Sequence, residues 1–405
     1  MPVLHPERPG HVLLKPGATL DAPAVEKLRE LKVAVLWVRY PALEFLARYN
    51  SPRIVQEHAQ LTAALSEGFD AVSKRTAAPM DFRAYADAVG GLLRSIVESP
   101  DAALFIHEIS GRQSPLLAHC ANVCFLALLL GLRLEGYLVQ QRSGLPTHRA
   151  RKIESLGLGA LLHDLGMLHL PEGVLEKYLR TGKDDDPAIR EHVRLGFELV
   201  RGKVPPTAAG VVLHHHQRYD GKGYPALARL GREPAPLAGL RIHIFARIVA
   251  VADAFDRLRH PPGPAPGGPA AEVRPTAPAV RVLRCLLDQA RAGVIDPVVF
   301  HALLAVVPAY PPGSEVRLSD GTRAVVTGFD RTDPCRPTVR PLTAPLAALA
   351  DQAVLGAELD LSRQPRLAIA ECDGQATLDA NFYPGAIPQP EPRTPRSVTP
   401  MRVSA

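Results

Sequence analysis

Seven titratable side chains in this sequence sit inside stretches that are otherwise apolar and helix-periodic, and they constrain the fold more than any other feature. His119 begins a run with Val123, Leu126 and Leu130, His163 and Asp164 sit among Leu161, Leu162 and Leu165, and His192 shares a repeat with Leu195 and Leu199. His215 and His216 end a run that starts at Val211, and Asp253 lies within the run from Ile244 to Leu258. Three- and four-residue apolar spacing places such residues on the inward face of a helix. Burying a polar group without a partner costs about 2–7 kcal/mol, and a charge more. One histidine on an apolar face reads as a satisfied core residue, and Asp253 alone as a buried acceptor. Seven such groups on five segments require a compensating charge, and a divalent metal ion held between helices supplies it.

The rest of the chain frames that helical region. Residues 10–40 read as a small strand-rich unit: Val12–Leu14, a turn at Pro16-Gly17, a short helix from Ala22 to Leu31, and an apolar β-branched run from Val33 to Val38. Helical periodicity then covers 54–75, 82–98 and 101–108. Further helices are expected over Ile153–Leu165, Ile189–Val200, Val211–Gln217, Ile244–Leu258 and 279–306. Residues 261–278 are rich in Pro, Gly and Ala and read as a linker. Beyond Pro311, residues 315–342 alternate like short strands around a turn at Ser319-Asp320-Gly321. The expected organisation is a strand-rich unit over 1–52, a helical region over 53–306, a β-rich appendage over 307–385 and a Pro-rich disordered tail over 386–405.

Composition excludes several classes. With 405 residues, 46% hydrophobic and 22% charged, the chain can bury a large core. No run of eighteen apolar residues appears and the N-terminus lacks a signal pattern, so a cytoplasmic location is expected and no membrane association. The cysteines, Cys120, Cys124, Cys285, Cys335 and Cys372, are odd in number and lack a close Cys-x-x-Cys pair, which supports neither a disulfide framework nor a thiolate zinc site. The net charge of +6 is spread along the chain, which suits an anionic ligand without indicating DNA binding.

The string His215-His216-Gln217-Arg218-Tyr219-Asp220-Gly221-Lys222-Gly223-Tyr224-Pro225 completes the pattern. Together with Leu162-His163-Asp164-Leu165-Gly166, Glu191-His192-Val193-Arg194-Leu195-Gly196, His119 in His-Cys-Ala-Asn-Val, and Ala246 to Asp256, it resembles the HD-GYP domain proteins over about 110–260. These are HD-superfamily phosphohydrolases best known for hydrolysing the bacterial messenger cyclic di-GMP. The resemblance implies a mainly α fold, an HD-superfamily helical bundle with a small N-terminal α/β unit and a C-terminal β-rich appendage. It also implies that His119, His163 and Asp253 hold one metal and His192, His215 and His216 a second, with Asp164 bridging. Iron or manganese suits the histidine-rich set, with zinc also compatible.

The implied activity is a phosphodiesterase that opens a cyclic dinucleotide by attack of a metal-bridging hydroxide, with Asp164 and His163 at the catalytic centre. Lys222, Arg257 and Tyr224 are the expected substrate contacts, although Lys222, Arg257 and Arg259 taken singly read as surface charge. Asp220, Gly221, Gly223, Tyr224 and Pro225 form the signature loop, a surface for a signalling protein, and a homodimer is compatible. The chain departs from the family pattern in four places. Met167 follows Gly166 where a lysine is usual, Gln217 replaces a glutamate, the region where basic residues and a tyrosine are usual reads Arg257-Leu258-Arg259-His260 and then turns Pro- and Gly-rich, and Pro115 stands where members with a third metal carry glutamate. An alternative follows from these departures: a metal-loaded but catalytically weakened protein acting as a sensor or interaction module.

Overall fold

The computed structural model describes residues 3–4, 12–15, 17–31, 33, 41–49, 51–73, 80–99, 115–171, 173–181, 186–229, 232–261, 276–343 and 355–385. All of the expected Val33–Val38 strand but Val33, the helix over 101–108, nearly all of the 261–278 linker and the tail over 386–405 lie outside these residues. The chain begins with the antiparallel pair β1 (Val3–Leu4) and β2 (Val12–Leu14), then α1 (Ala22–Glu30) and a 3-10 segment, Pro41–Tyr49. Helices α2 (Pro52–Ser73) and α3 (Phe82–Glu98) pair with each other. Asp81 caps α3 by accepting from the backbone N–H groups of Arg83 and Ala84, at 3.1 and 2.9 Å.

The centre of the molecule is α4 (Pro115–Arg133), followed by α5 (Glu135–Gln141) and α6 (Thr147–Ala150). Its 19 residues have a mean hydropathy of 2.0, long and apolar enough to cross a membrane by length and composition, but 78% of that window is buried within the protein. A helix that is apolar all round belongs in a core. Cys120, Val123, Phe125, Leu128 and Leu130 are fully enclosed, and each Leu or Phe buried this way contributes about 1.5–3 kcal/mol. Around α4 pack α7 (Glu154–Leu162), α8 (Val174–Thr181), α9 (His192–Val200), α10 (Pro206–His214), α11 (Ile244–Arg259), α12 (Ala279–Arg291) and α13 (Pro297–Val306), either directly or through one another. Between α10 and α11 lies a small hairpin, β3 (Leu227–Arg229) and β4 (Arg232–Ala235), that no alternation in the sequence announces.

Three helices stop earlier, or start later, than their apolar spacing predicts, and each difference places a site residue. The helix expected to reach Leu165 ends at Leu162, and a 3-10 turn, Leu165–His169, follows. The helix expected from Ile189 opens as a 3-10 turn, Pro187–Glu191, so that His192 is the first residue of α9. The helix expected to run through Gln217 ends at His214. Packing sets these limits. A Cβ at Gly166 would lie 2.0 Å from the carbonyl oxygen of His192 and 2.5 Å from the amide nitrogen of Gly196, so the turn rests directly on the α9 backbone.

The C-terminal region is a six-stranded antiparallel sheet in the order β10-β9-β5-β6-β7-β8. It comprises β5 (Glu315–Leu318), β6 (Arg323–Gly328), β7 (Thr338–Pro341), β8 (Leu359–Asp360), β9 (Ile369–Cys372) and β10 (Gln375–Ala376). The first three fall within the stretch read as strands from the sequence, although β6 is buried at four consecutive positions and does not alternate, and the turn at Gly321 is in the left-handed region (φ +89°). β8 to β10 are two to four residues long, too short to carry a periodic signal. The sheet is tied back to the helices by Tyr310, whose hydroxyl donates to Asn381 Oδ1 at 2.5 Å, and by the Arg281–Asp379 pair.

The contact at Gly166 gives a direct test. Gly166→Ala should lower unfolding free energy by about 3 kcal/mol, because backbone on both sides leaves nowhere for the methyl group to go. Gly136→Ala, in exposed α5 with nothing within 4 Å of its Cβ position, should be neutral or gain about 0.5–1 kcal/mol. Urea denaturation of the two variants beside the parent measures both; equal stabilities would refute the packing account.

Candidate metal centre

All seven residues singled out by the sequence converge. His119 comes from the second turn of α4, His163 and Asp164 from the break after α7, His192 from the start of α9, His215 and His216 from the end of α10, and Asp253 from the middle of α11. His163, Asp164 and His192 are fully buried, and His215 and Asp253 nearly so. Five of the seven therefore sit at helix ends, not on mid-helix faces as the periodicity predicts. The chain turns at these ends, so side chains from five segments can point to one spot.

The imidazole protons are committed elsewhere. His163 Nδ1 donates to the Ala160 carbonyl at 2.7 Å, His192 Nδ1 to Ile189 at 2.5 Å and His215 Nδ1 to Val212 at 2.9 Å. A carbonyl only accepts, so each Nδ1 carries the proton and each Nε2 faces the site as a lone pair. Burial pushes His192 down to about 4 and lowers His215 and His216 as well, which keeps them neutral at pH 7. His192 Nε2 and His215 Nε2 nevertheless lie 3.2 Å apart, and Asp164 Oδ1 is 3.3 and 3.6 Å from them with no hydrogen bond. Two lone pairs and an anionic oxygen crowded together are mutually repulsive unless a cation lies among them. Cis ligand atoms around an ion with bonds of about 2.1 Å are themselves separated by about 3.0 Å, and tetrahedral ones by about 3.4 Å. The donor set fits a metal ion.

The second half of the site has the same form. His119 Nε2 is 3.0 Å from Asp253 Oδ1 and 3.2 Å from His163 Nε2. His163 Nε2 is 3.7 Å from Asp253 Oδ1, and Asp164 Oδ2 is 3.6 Å from both imidazoles. Among the described residues, His119, His163 and Asp253 form one group able to hold an ion, and Asp164, His192, His215 and His216 another. Asp164 turns one oxygen to each. Burial alone would push the carboxyls of Asp164 and Asp253 up, but Arg257 and the neighbouring histidines outweigh it and hold both well below the usual carboxylate range. For His119, burial and Arg257 act downward, yet Asp253 and Asp256 prevail and raise it to about 9. An ion bound there must displace a proton that His192, His215 and His216 do not carry.

Several functional contacts escaped the sequence reading. Asp256, buried one turn below Asp253, accepts from His119 Nδ1 at 2.7 Å and from Asn122 Nδ2 at 3.0 Å, and lies 3.1 Å from His260 Nδ1. Its spacing of three from Asp253 was the available signal, since that spacing shares a helix face. Arg257, expected at the substrate or as surface charge, instead lies on the ligand carboxylates: Nη2 is 2.6 Å from Asp164 Oδ2 and Nε is 2.5 Å from Asp253 Oδ1. Arg259 is also buried and donates to the Ala277 carbonyl. Met167 is 2% exposed and belongs to the apolar core, so no cationic side chain stands beside Gly166 at this position.

The signature loop braces the ligands. The Tyr224 ring stacks on His216 at 4.7 Å between centroids and 25° between planes, with the Arg190 guanidinium 5.4 Å from the Tyr224 ring centre. Gln217 Nε2 donates to the Pro225 carbonyl at 2.7 Å and its Oε1 accepts from the Leu237 amide at 2.8 Å, a two-sided clamp for which a neutral amide is required. Gly223 lies so close to the backbone of His216 and Arg218, 2.4 and 2.3 Å from where a Cβ would stand, that no side chain fits. Asp220 pairs with Arg218 and accepts from the Lys222 amide, while the Lys222 side chain is exposed and stands outside the ligand cluster.

Residues 116–258 match the HD domain family. The chain is 29% identical over 314 residues to the cyclic di-GMP phosphodiesterase PA4108 of Pseudomonas aeruginosa, covering 76% of this chain and 67% of that one. It is 39% identical over 124 residues to the cyclic di-GMP phosphodiesterase response regulator RpfG of Xanthomonas campestris pv. campestris, covering 30% of each. It is 35% identical over 109 residues to 3'3'-cGAMP-specific phosphodiesterase 1 of Vibrio cholerae, covering 26% of this chain and 22% of that one. The match thus spans about two thirds of the first relative and under a third of the others.

The Asp256–His119 contact predicts a measurable effect. Asp256→Ala frees the His119 ring to rotate and to change tautomer, and should weaken divalent-ion affinity by about 10–100-fold with the fold intact. Calorimetric titration with Mn²⁺, checked by circular dichroism, measures this; unchanged affinity would remove Asp256 from the site.

Proposed function

We propose that this chain, whose residues 116–258 match the HD domain family, is an HD-GYP protein and a binuclear, metal-dependent phosphodiesterase acting on a 3′3′-linked cyclic dinucleotide, cyclic di-GMP in the first place. The observation that carries this reading is the division of Asp164, with Oδ2 facing the His119, His163 and Asp253 set and Oδ1 facing the His192, His215 and His216 set. Asp164, shared by the two sets, would help to hold an ion in each, and two neighbouring cations are what in-line phosphodiester displacement uses. Ions bound there would supply Lewis acidity toward a phosphoryl oxygen and a nucleophile at neutral pH. Iron or manganese is our preferred assignment, because imidazole-rich sets with one or two carboxylates suit these ions.

The chain's own residues do the remaining work. The carbonyls of Ala160, Ile189 and Val212 hold the proton of each partner histidine on Nδ1, so no ligand has to shed one from that nitrogen during turnover. Tyr224 fixes the plane of His216, and Gln217 anchors the loop that carries Tyr224. Arg190, exposed over Tyr224, and Lys222 lend positive charge at the loop, where a polyanionic substrate approaches. A second reading, a metal-loaded sensor with little turnover, is favoured by buried Met167, which leaves no ammonium beside Gly166.

Protein reconstituted anaerobically with Mn²⁺ or Fe²⁺ should carry two ions per chain by elemental analysis and linearise cyclic di-GMP in a single-turnover assay. Asp164→Ala should lose both ions and all turnover, whereas His216→Ala should lose mainly one ion. Two bound ions with no cleavage of cyclic di-GMP or 3′3′-cGAMP would replace the enzyme by the sensor. No bound transition metal in the parent protein would refute both.

A further inference from the structure

The metal reading leaves Arg257 unexplained, and its position is the most unusual in the site. It lies one turn beyond Asp253 on α11, and all three of its guanidinium nitrogens are committed: Nε to Asp253 Oδ1, Nη2 to Asp164 Oδ2, and Nη1 to the hydroxyl of Tyr178 on α8. Those two carboxylate oxygens are the ones that face His119 and His163. Asp164 Oδ1, turned to the other three histidines, receives nothing from it. The cation is therefore asymmetric with respect to the two ligand sets.

We propose that Arg257 is a resident counter-ion of the first ligand set, competing with a divalent cation for Asp253 Oδ1 and Asp164 Oδ2, and that it makes the affinity of that set lower than that of the His192, His215 and His216 set. The inference rests on the metal reading above. Its physical basis is charge and shared acceptors. A divalent ion bonded to these oxygens would lie within a few ångströms of a guanidinium that cannot lose its proton. Like charges that close, in a site with little water, oppose each other strongly. The same guanidinium is the chain's own cation on these two buried carboxylates, 2.5 Å from Asp253 Oδ1 and 2.6 Å from Asp164 Oδ2, and is what compensates them when they are not ligands. Arg257 is anchored at its far end by Tyr178, and its side chain keeps 22% exposure, so it has an open side toward which to withdraw. Filling of the site is then ordered: the second set binds first, and the first set binds at higher metal concentration, as Arg257 yields.

The test uses Mn²⁺ titration of the metal-stripped full chain by calorimetry, with bound and free ion counted by electron paramagnetic resonance. The parent should show two unequal classes of site. Arg257→Gln removes the charge and leaves a neutral amide that reaches only as far as Nε does; it should tighten the weaker class by at least about tenfold, a modest share of what a unit charge a few ångströms away exerts at an effective dielectric of about 20. The tighter class should move by less than about threefold. The metal-free variant should also melt at a lower temperature than the metal-free parent, and Mn²⁺ should restore it. Arg257→Lys, which keeps the charge without the fork, should stay within about threefold of the parent in both classes, and it carries the test if the glutamine variant does not fold. Placing Arg257→Gln in a His119→Ala background should abolish the gain, because the affected set is then broken. An unchanged or weakened weaker class in Arg257→Gln, a tenfold gain in Arg257→Lys, or a gain that persists without His119 would each overturn the proposal while leaving two-metal binding intact. Failure of the parent itself to bind Mn²⁺ would overturn the metal reading and this inference together.

Discussion

The carboxylate of Asp164 is the group on which the rest of the site depends. It is completely buried, it is the first residue beyond the α7 break, and its two oxygens face two different sets of imidazoles. α7 ends at Leu162, and His163 and Asp164, the two residues that follow, both reach the same centre. That ending is itself held by Gly166, whose lack of a side chain allows the following turn to lie on the backbone of His192, a ligand in the opposite set. Backbone packing and ligand geometry are thus the same feature.

Around this carboxylate the protein has arranged its protons with some economy of means. Each of His163, His192 and His215 spends its proton on the carbonyl three residues earlier, a local bond that helix geometry makes available at a helix end. His119 lies within α4 and spends its proton on Asp256 instead. The result is a cluster of inward imidazole nitrogens and anionic oxygens that cations stabilise. One such cation, Arg257, belongs to the chain. Buried ion pairs of this kind contribute little net stability, because desolvation offsets attraction, but removing one partner leaves an uncompensated charge. Arg247 plays the corresponding part away from the site, joining Asp296, Tyr137 and Gln141 where α11 meets α13 and α5.

The identities of the seven candidate ligands were legible in the sequence because burial of a titratable group is expensive, and an apolar stretch that contains one announces a reason. The Gly223-Tyr224-Pro225 string was legible for a similar reason: a glycine where no Cβ fits and a ring set against a ligand leave little choice of residue. The helical character of the central region and the strands over 315–341 followed from periodicity, which reports which face of an element is covered. Where an element stops is another matter. His163, His192 and His215 all occur at ends that apolar spacing did not mark, because those ends are set by neighbouring backbone and not by local preference.

Arg257 shows most clearly what the sequence could not convey. An arginine four residues after an aspartate on a helix describes an exposed surface pair and a buried counter-ion equally well. Which one it is depends on whether α7 and α8 cover that turn of α11, and they do, bringing Asp164 and Tyr178 to the same guanidinium. Met167 is the converse: read as a missing charge, it proves to be a core side chain, since its turn is pressed against the interior. The sequence by itself determined the chemistry available, imidazoles and carboxylates in apolar surroundings. The family resemblance already implied their partition into two sets; only the tertiary structure decided the oxygen each set receives and the cation that already stands on two of them, because distances between segments far apart in the chain are fixed by packing.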